Sequence, residues 1–164
     1  MLRRIAPIAL GSLLLAAAHP RGLAAQARFG AQLDIGDDQD LGLGGRVVLG
    51  LVEPKGFDFV GSFDWFFPDE PPGVDVTYWE INGNLIYSLD LPAVPSVGPY
   101  IGGGINIAHR NREFSNGTDA SDTDAGLNLL GGATLDTRSV TPFLELRLEI
   151  EGGDQFVVAG GVLF

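Results

Sequence analysis

Few residues in this sequence have the types and spacing that chemistry needs. His109 is the only histidine after the N-terminal segment, the other being His19. It is followed by Arg110-Asn111, and no Ser-His-Asp relay can be read from the spacing. His109 therefore reads as a polar residue at the end of a structural element. Cysteine is absent, so neither thiol chemistry nor disulfides are available. Acids are plentiful between the apolar segments: Asp37, Asp38 and Asp40; Asp69, Glu70 and Asp75; Glu113, Asp119, Asp122 and Asp124; and Asp154. Such carboxylates suit hard cations. The densest group, Asp119 to Asp124, lacks the roughly twelve-residue spacing ending in a bidentate Glu that marks a dedicated calcium loop. Solvated acidic loops are the expectation, with no metal site.

A second set is more ordered. Glu145, Arg147 and Glu149 occupy alternate positions, and Arg46, Asp64 and Glu80 sit on the polar side of comparable segments. Alternate residues of a strand share a face. If the strands close on one another, these six charges can form one paired network in a narrow lumen, where an unpaired charge would be costly. The six could also line a pore, but a small barrel is normally filled by its own side chains. No catalytic residue and no cofactor are expected, and the chain reads as non-enzymatic.

The elements that would position these residues begin with a leader. Met1 to Ala27 has the parts of a secretory signal peptide: Arg3-Arg4, an apolar run from Ile5 to Ala18, and Ala25-Gln26-Ala27 as a small-x-small cleavage site. The apolar run falls short of the roughly 20 residues of a membrane-spanning helix. Cleavage would leave residues 28–164 as the mature domain. Removing Arg3, Arg4 and Arg21 moves the net charge from −11 to −14. So acidic a chain, without Lys/Arg clusters, excludes nucleic acid as a partner. The 24 glycines show no triplet repeat, which excludes collagen.

From Arg28 onward the pattern has a period of two, and eight strands are expected, near 28–35, 41–52, 57–67, 75–89, 99–110, 123–135, 142–151 and 155–164. The clearest alternates Leu144, Leu146, Leu148 and Ile150 with Glu145, Arg147, Glu149 and Glu151. Breakers such as Glu53-Pro54-Lys55-Gly56 and Gly152-Gly153-Asp154 separate the strands, and residues 111–122 are expected to form the longest loop. Several segments approach the 9–11 residues of a tilted membrane strand.

Alternation alone does not say which face meets water. Three observations favour lipid outside. The mature chain has one lysine, Lys55, and its polar faces carry paired acids and arginines instead. Aromatic residues gather at strand ends, as two rim belts. Phe29, Phe57, Tyr87, Tyr100, Phe143 and Phe164 fall at one end; Trp65, Phe66, Phe67, Tyr78, Trp79 and Phe156 fall at the other. The last strand places Phe156, Val158, Val162 and Phe164 on one face. In lipid every backbone group must be paired, so the strands must close into a barrel. The expected fold is all-β, an eight-stranded antiparallel up-and-down transmembrane barrel.

Residues 28–164 resemble the small outer-membrane β-barrel proteins of the outer membrane protein A and X type. The resemblance rests on the leader, the strand number, Pro99-Tyr100-Ile101-Gly102-Gly103-Gly104, Pro142-Phe143-Leu144-Glu145-Leu146-Arg147 and the terminal Phe164. Phe156, Val158, Val162 and Phe164 are similar to the C-terminal signal read by the bacterial barrel-assembly machinery. The resemblance implies a monomer in the bacterial outer membrane, in contact with its lipid and lipopolysaccharide. No wall-binding domain is expected after the last strand. Outer-membrane lipid A deacylases resemble this chain in size, but His109-Arg110-Asn111 lacks the serine of their His-x-Ser pair. The leading expectation is a structural or surface-interaction role. A narrow porin and a secreted lipocalin-like carrier are the alternatives; the carrier would turn its apolar faces inward.

Overall fold

A computed structural model describes residues 27–90 and 92–164. The expected leader lies outside the described residues except for Ala27, which opens the first strand. Eight strands follow: β1 (Ala27–Gly36), β2 (Asp40–Gly50), β3 (Phe57–Phe67), β4 (Val74–Ser88), β5 (Val97–Phe114), β6 (Asp119–Leu135), β7 (Thr141–Glu151) and β8 (Phe156–Leu163). Each pairs antiparallel with the next, and β8 pairs with β1, so the sheet is a closed barrel. At the seam the Phe164 amide donates to the Phe29 carbonyl at 2.8 Å, extending the closure to the last residue. Even strand number brings β1 and β8 to a common end, here the terminus end; the opposite rim is the loop end.

The apolar face points outward. On β7, Leu144, Leu146, Leu148 and Ile150 are exposed, while Glu145, Arg147 and Glu149 are at most 1% exposed. Such an inside-out distribution places the barrel in a membrane, because water would leave the outer leucines unburied and hydrocarbon buries them. A soluble carrier needs the reverse.

The aromatic residues differ from the two rim belts expected. Phe29, Tyr87 and Phe164 do face outward near the terminus end, and Trp65, Phe67 and Phe156 near the loop end. Tyr100, Phe143, Phe66 and Tyr78 instead point inward and are buried. Tyr100 and Phe143 join Val48, Val60, Ile86, Leu130 and Leu163 in an apolar cluster at the terminus end. Phe66 and Tyr78 join Ala108 and Val157 in another at the loop end. The interior is thus a charged layer between two apolar stoppers.

Three of these rings find room over a glycine of the neighbouring strand. Gly42 pairs with Phe66, Gly132 with Tyr100, and Gly161 with Phe143. A β-carbon would stand 2.9 Å from the Phe66 ring at Gly42, 2.6 Å from Tyr100 at Gly132 and 2.8 Å from Phe143 at Gly161. All three distances are below ordinary van der Waals contact.

The expected loop over 111–122 is also corrected. β5 runs on to Phe114 and β6 starts at Asp119, so only a tight turn through Gly117, at φ 83°, joins them. The pairing of β4, β5 and β6 outlasts that of their neighbours. β6 pairs with β7 only from Gly126, and β4 with β3 only from Tyr78. Val74–Thr77, the end of β5 and Asp119–Ala125 therefore form a three-stranded sheet standing above the rim. Asn111–Glu113 and Asp119–Asp124 carry polar residues on both faces, as a sheet with water on both sides would.

Candidate functional site

The charged layer is built from one or two inward positions on each of several strands. From β2, Arg46 reaches across to Glu145 of β7 with two hydrogen bonds, Nη2 to Oε1 at 2.6 Å and Nη1 to Oε2 at 3.0 Å. This two-pronged geometry is the strongest form of a guanidinium–carboxylate pair. The Tyr100 hydroxyl donates to the same Glu145 at 2.9 Å, and the Arg46 guanidinium lies 4.2 Å from the centre of the Phe143 ring. Both stopper rings at the terminus end are thereby tied to the ion pair.

Arg147 is the hub. Its guanidinium has four carboxylates around it: Glu149 at 2.7 Å, Asp64 at 3.3 Å, Glu80 at 3.6 Å and Glu145 at 3.8 Å. Arg46, Asp64, Glu80, Glu145, Arg147 and Glu149 thus lie together in the lumen, all buried.

The network is wider than those six residues. Asp34 of β1 is fully buried beside Asp64. Gln32 donates to both, at 2.9 Å each. Ser62 and Asn82 also donate to Asp64, at 2.9 and 3.0 Å. Glu80 accepts from the Tyr78 hydroxyl at 2.6 Å and from Gln155 at 2.7 Å. An asparagine layer links the walls, with Asn128 donating to Asn82 at 2.8 Å and Asn84 at 2.9 Å. Sequence parity assigned several of these residues to the polar faces. Nothing in one strand's pattern shows which polar residues of other strands they meet.

Above the loop-end stopper is a polar mouth of about 250 Å³, walled by Asp38, Arg110, Arg112, Asp122, Asp124 and Asp154. Its ion pairs are long and partly exposed: Arg110–Asp38 at 4.0 Å and Arg112–Asp122 at 3.8 Å. Among the described residues no three acid or histidine side chains converge on one cation position. His109 lies opposite Thr123, with Nδ1 2.7 Å from its hydroxyl, and stacks on Trp79 at 5.0 Å. A larger depression, about 640 Å³, lies on the outer wall where Gly45, Gly61 and Gly83 leave a groove between Phe29, Phe59 and Phe63. It faces hydrocarbon, away from the charged layer.

On β8 Phe156, Val158, Val162 and Phe164 share the outward face, with Phe164 70% exposed.

No protein-family model matches the sequence, and no curated protein sequence does. Solved structures do. Neisserial surface protein A is 15% identical, with 84% of this chain and 92% of that one covered at a TM-score of 0.58. The N-terminal β-barrel domain of Pseudomonas aeruginosa OprF is 16% identical, with 84% and 95% covered at 0.60. Ail, the attachment invasion locus protein of Yersinia pestis, in complex with the heparin analogue sucrose octasulfate, is 12% identical, with 84% and 93% covered at 0.53. At such identities the likeness is one of fold: this chain has the eight-stranded architecture of outer-membrane barrels.

Proposed function

We propose that the protein is a non-enzymatic integral component of the bacterial outer membrane whose work is done by the loop end, through contact with a cationic partner outside the cell. The observation that carries this reading is the three-stranded sheet above the rim. Asp119–Ala125 of β6 is paired on its β5 side and free of β7, so it presents a strand edge. Seven residues extend roughly 20 Å at about 3.3 Å each. A free edge is a template for another strand.

Charge selects the partner. Asp119, Asp122 and Asp124 lie along the edge strand, with Glu113 and Asp75 on the strands behind it, against Arg110 and Arg112. Like charges discourage pairing of two copies, and a basic segment is favoured. Ail was solved with a polysulfated ligand. Here the acids of the projecting sheet disfavour a polyanion. The charged layer between two apolar stoppers supports a structural lumen over a narrow porin. The outward face of β8, ending in Phe164, supports assembly by the barrel-assembly machinery, with lipid and lipopolysaccharide as surroundings.

Location is tested by fractionation and detergent extraction, with gel mobility compared before and after heating. A shift on heating and loss from the aqueous phase are expected; aqueous solubility with no shift would refute a membrane barrel. Contact is tested with a synthetic peptide alternating lysine and threonine. Binding is expected to weaken steeply with salt and to fail when Thr123→Pro blocks the edge. Equal binding by the proline variant would remove the edge from the account. Planar-bilayer recordings are expected to show no steady conductance, and a stable single-channel step would restore the porin.

A further inference from the structure

The charged layer is out of balance. Among the described residues five buried carboxylates, Asp34, Asp64, Glu80, Glu145 and Glu149, face two guanidiniums, Arg46 and Arg147. Arg46 and Glu145 cancel in their two-pronged pair. The other four acids have only Arg147 between them. Inside a tube walled by hydrocarbon and stoppered at both ends, three uncompensated charges would be very costly.

The four acids form two pairs. Asp34 and Asp64 meet above Gly44: a β-carbon there would stand 3.2 Å from Asp34 Oδ2 and closer still to Asp64 Oδ1. Glu80 and Glu149 meet at Gly153, where a β-carbon would stand 2.7 Å from Glu80 Oε1 and closer to Glu149 Oε2. Glycine at each place makes room for two carboxyl groups side by side.

Within each pair the donors are unevenly divided. Asp64 accepts from Ser62, Asn82, Gln32 and Arg147, whereas Asp34 accepts from Gln32 alone. Glu80 accepts from Tyr78 and Gln155, whereas Glu149 accepts only from Arg147 Nε. Among the described residues Asp34 Oδ2, Glu80 Oε2 and Glu149 Oε2 are buried and have no hydrogen-bond partner. The same shortage runs through the lumen. Among the described residues seven buried side-chain oxygens lack a partner, against three nitrogens, and Gln155 Oε1 beside Glu80 is one of the seven. The interior has more acceptors than donors.

We infer that the lumen binds two protons, one in each pair: the first carried on Asp34 Oδ2 and donated to Asp64, the second held between the Glu80 and Glu149 carboxyls. Two carboxylates in one site do not both ionise, and the neutral member becomes a donor to the charged one. Each proton comes from water as the chain folds. The interior then carries one net negative charge instead of three. Arg147 of β7 faces both pairs, Tyr78 of β4 faces Glu80, and Arg46 with Glu145 forms the layer towards the terminus end.

The test is to refold the barrel from urea into detergent micelles near pH 7, in weakly buffered medium with a pH indicator. Uptake of about two protons per chain is expected, about one for Asp34→Asn or Glu149→Gln, and about none for the double variant. The infrared carbonyl band of a protonated carboxyl is expected in the folded wild type and absent from the double variant. Asp34→Asn should raise heat stability near pH 7, since the amide donates as the acid does without drawing a proton from water; Asp64→Asn should lower it. No proton uptake and no carboxyl band in the wild type would overturn the inference, whether or not any variant folds. Equal destabilisation by Asp34→Asn and Asp64→Asn would overturn the placing of the first proton on Asp34.

Discussion

Arg147→Ala is the most informative perturbation of this barrel. The side chain is fully buried, and its guanidinium contacts four carboxylates between 2.7 and 3.8 Å. Glu145 keeps Arg46 when Arg147 is lost, but Asp64, Glu80 and Glu149 have no second cation. Breaking a buried pair by removing one partner costs about 3–5 kcal/mol, because the remaining charge is left uncompensated. At about 1.4 kcal/mol per factor of ten, the folding equilibrium should fall by about two to three and a half orders of magnitude. Arg28→Ala is the control. Arg28 pairs with Asp58 at 3.8 Å with both side chains partly exposed, a geometry worth about 0–1 kcal/mol. The assay is urea unfolding in lipid vesicles, followed by the fluorescence of Trp65 and Trp79 and by the gel mobility of unheated samples. A loss for Arg147→Ala no larger than for Arg28→Ala would refute the network as the stabilising core. Unchanged stability with raised conductance would show that Arg147 gates a pore.

Four further outcomes are expected. Gly104→Ala puts a β-carbon against the Gly83 carbonyl and 2.6 Å from the Asn84 α-carbon, so about 1–3 kcal/mol should be lost in urea unfolding. Gly45→Ala, where nothing lies within 4 Å, should be tolerated in the same assay. Leu146→Arg, at an outward position midway along β7, should cost about 2–4 kcal/mol in vesicles, as a charge at hydrocarbon depth does. Tyr100→Phe removes a hydroxyl that donates to Glu145 and should cost about 1.5–3 kcal/mol, read by the same unfolding curves.

Strand number and facing were legible because hydrocarbon outside and charge inside impose strict alternation. On β7 each apolar residue is exposed and each of Glu145, Arg147 and Glu149 is buried. Two features were not read. The inward rings were grouped with the rim aromatics by their place along the strand. Parity would have separated them, since Phe143 shares its face with Glu145 and Arg147, and Tyr100 with Asn106. Trp65-Phe66-Phe67 and Tyr78-Trp79 are consecutive, so one of each group had to turn inward. The projecting ends of β5 and β6 carry no strand signal because Asn111-Arg112-Glu113 and Asp119 to Asp124 have polar residues on both faces, and water on both sides leaves no alternation. The proximity of Asp34 to Asp64 and of Glu80 to Glu149 follows from curvature and closure, which no single strand encodes.

The rings laid over Gly42, Gly132 and Gly161 bear on how such a sequence can drift. At Gly132 and Gly161 a backbone carbonyl stands closer than the ring and bars a side chain outright, but at Gly42 the nearest atoms all belong to Phe66, so ring and glycine act as a two-position lock: enlarging the glycine collides with the ring, and shrinking the ring alone hollows the stopper. Residues in such contact respond non-additively. Alanine at Gly42 should therefore survive only in chains that have also traded Phe66 for a smaller side chain, and the two sites, though 24 positions apart in the chain, should change in tandem.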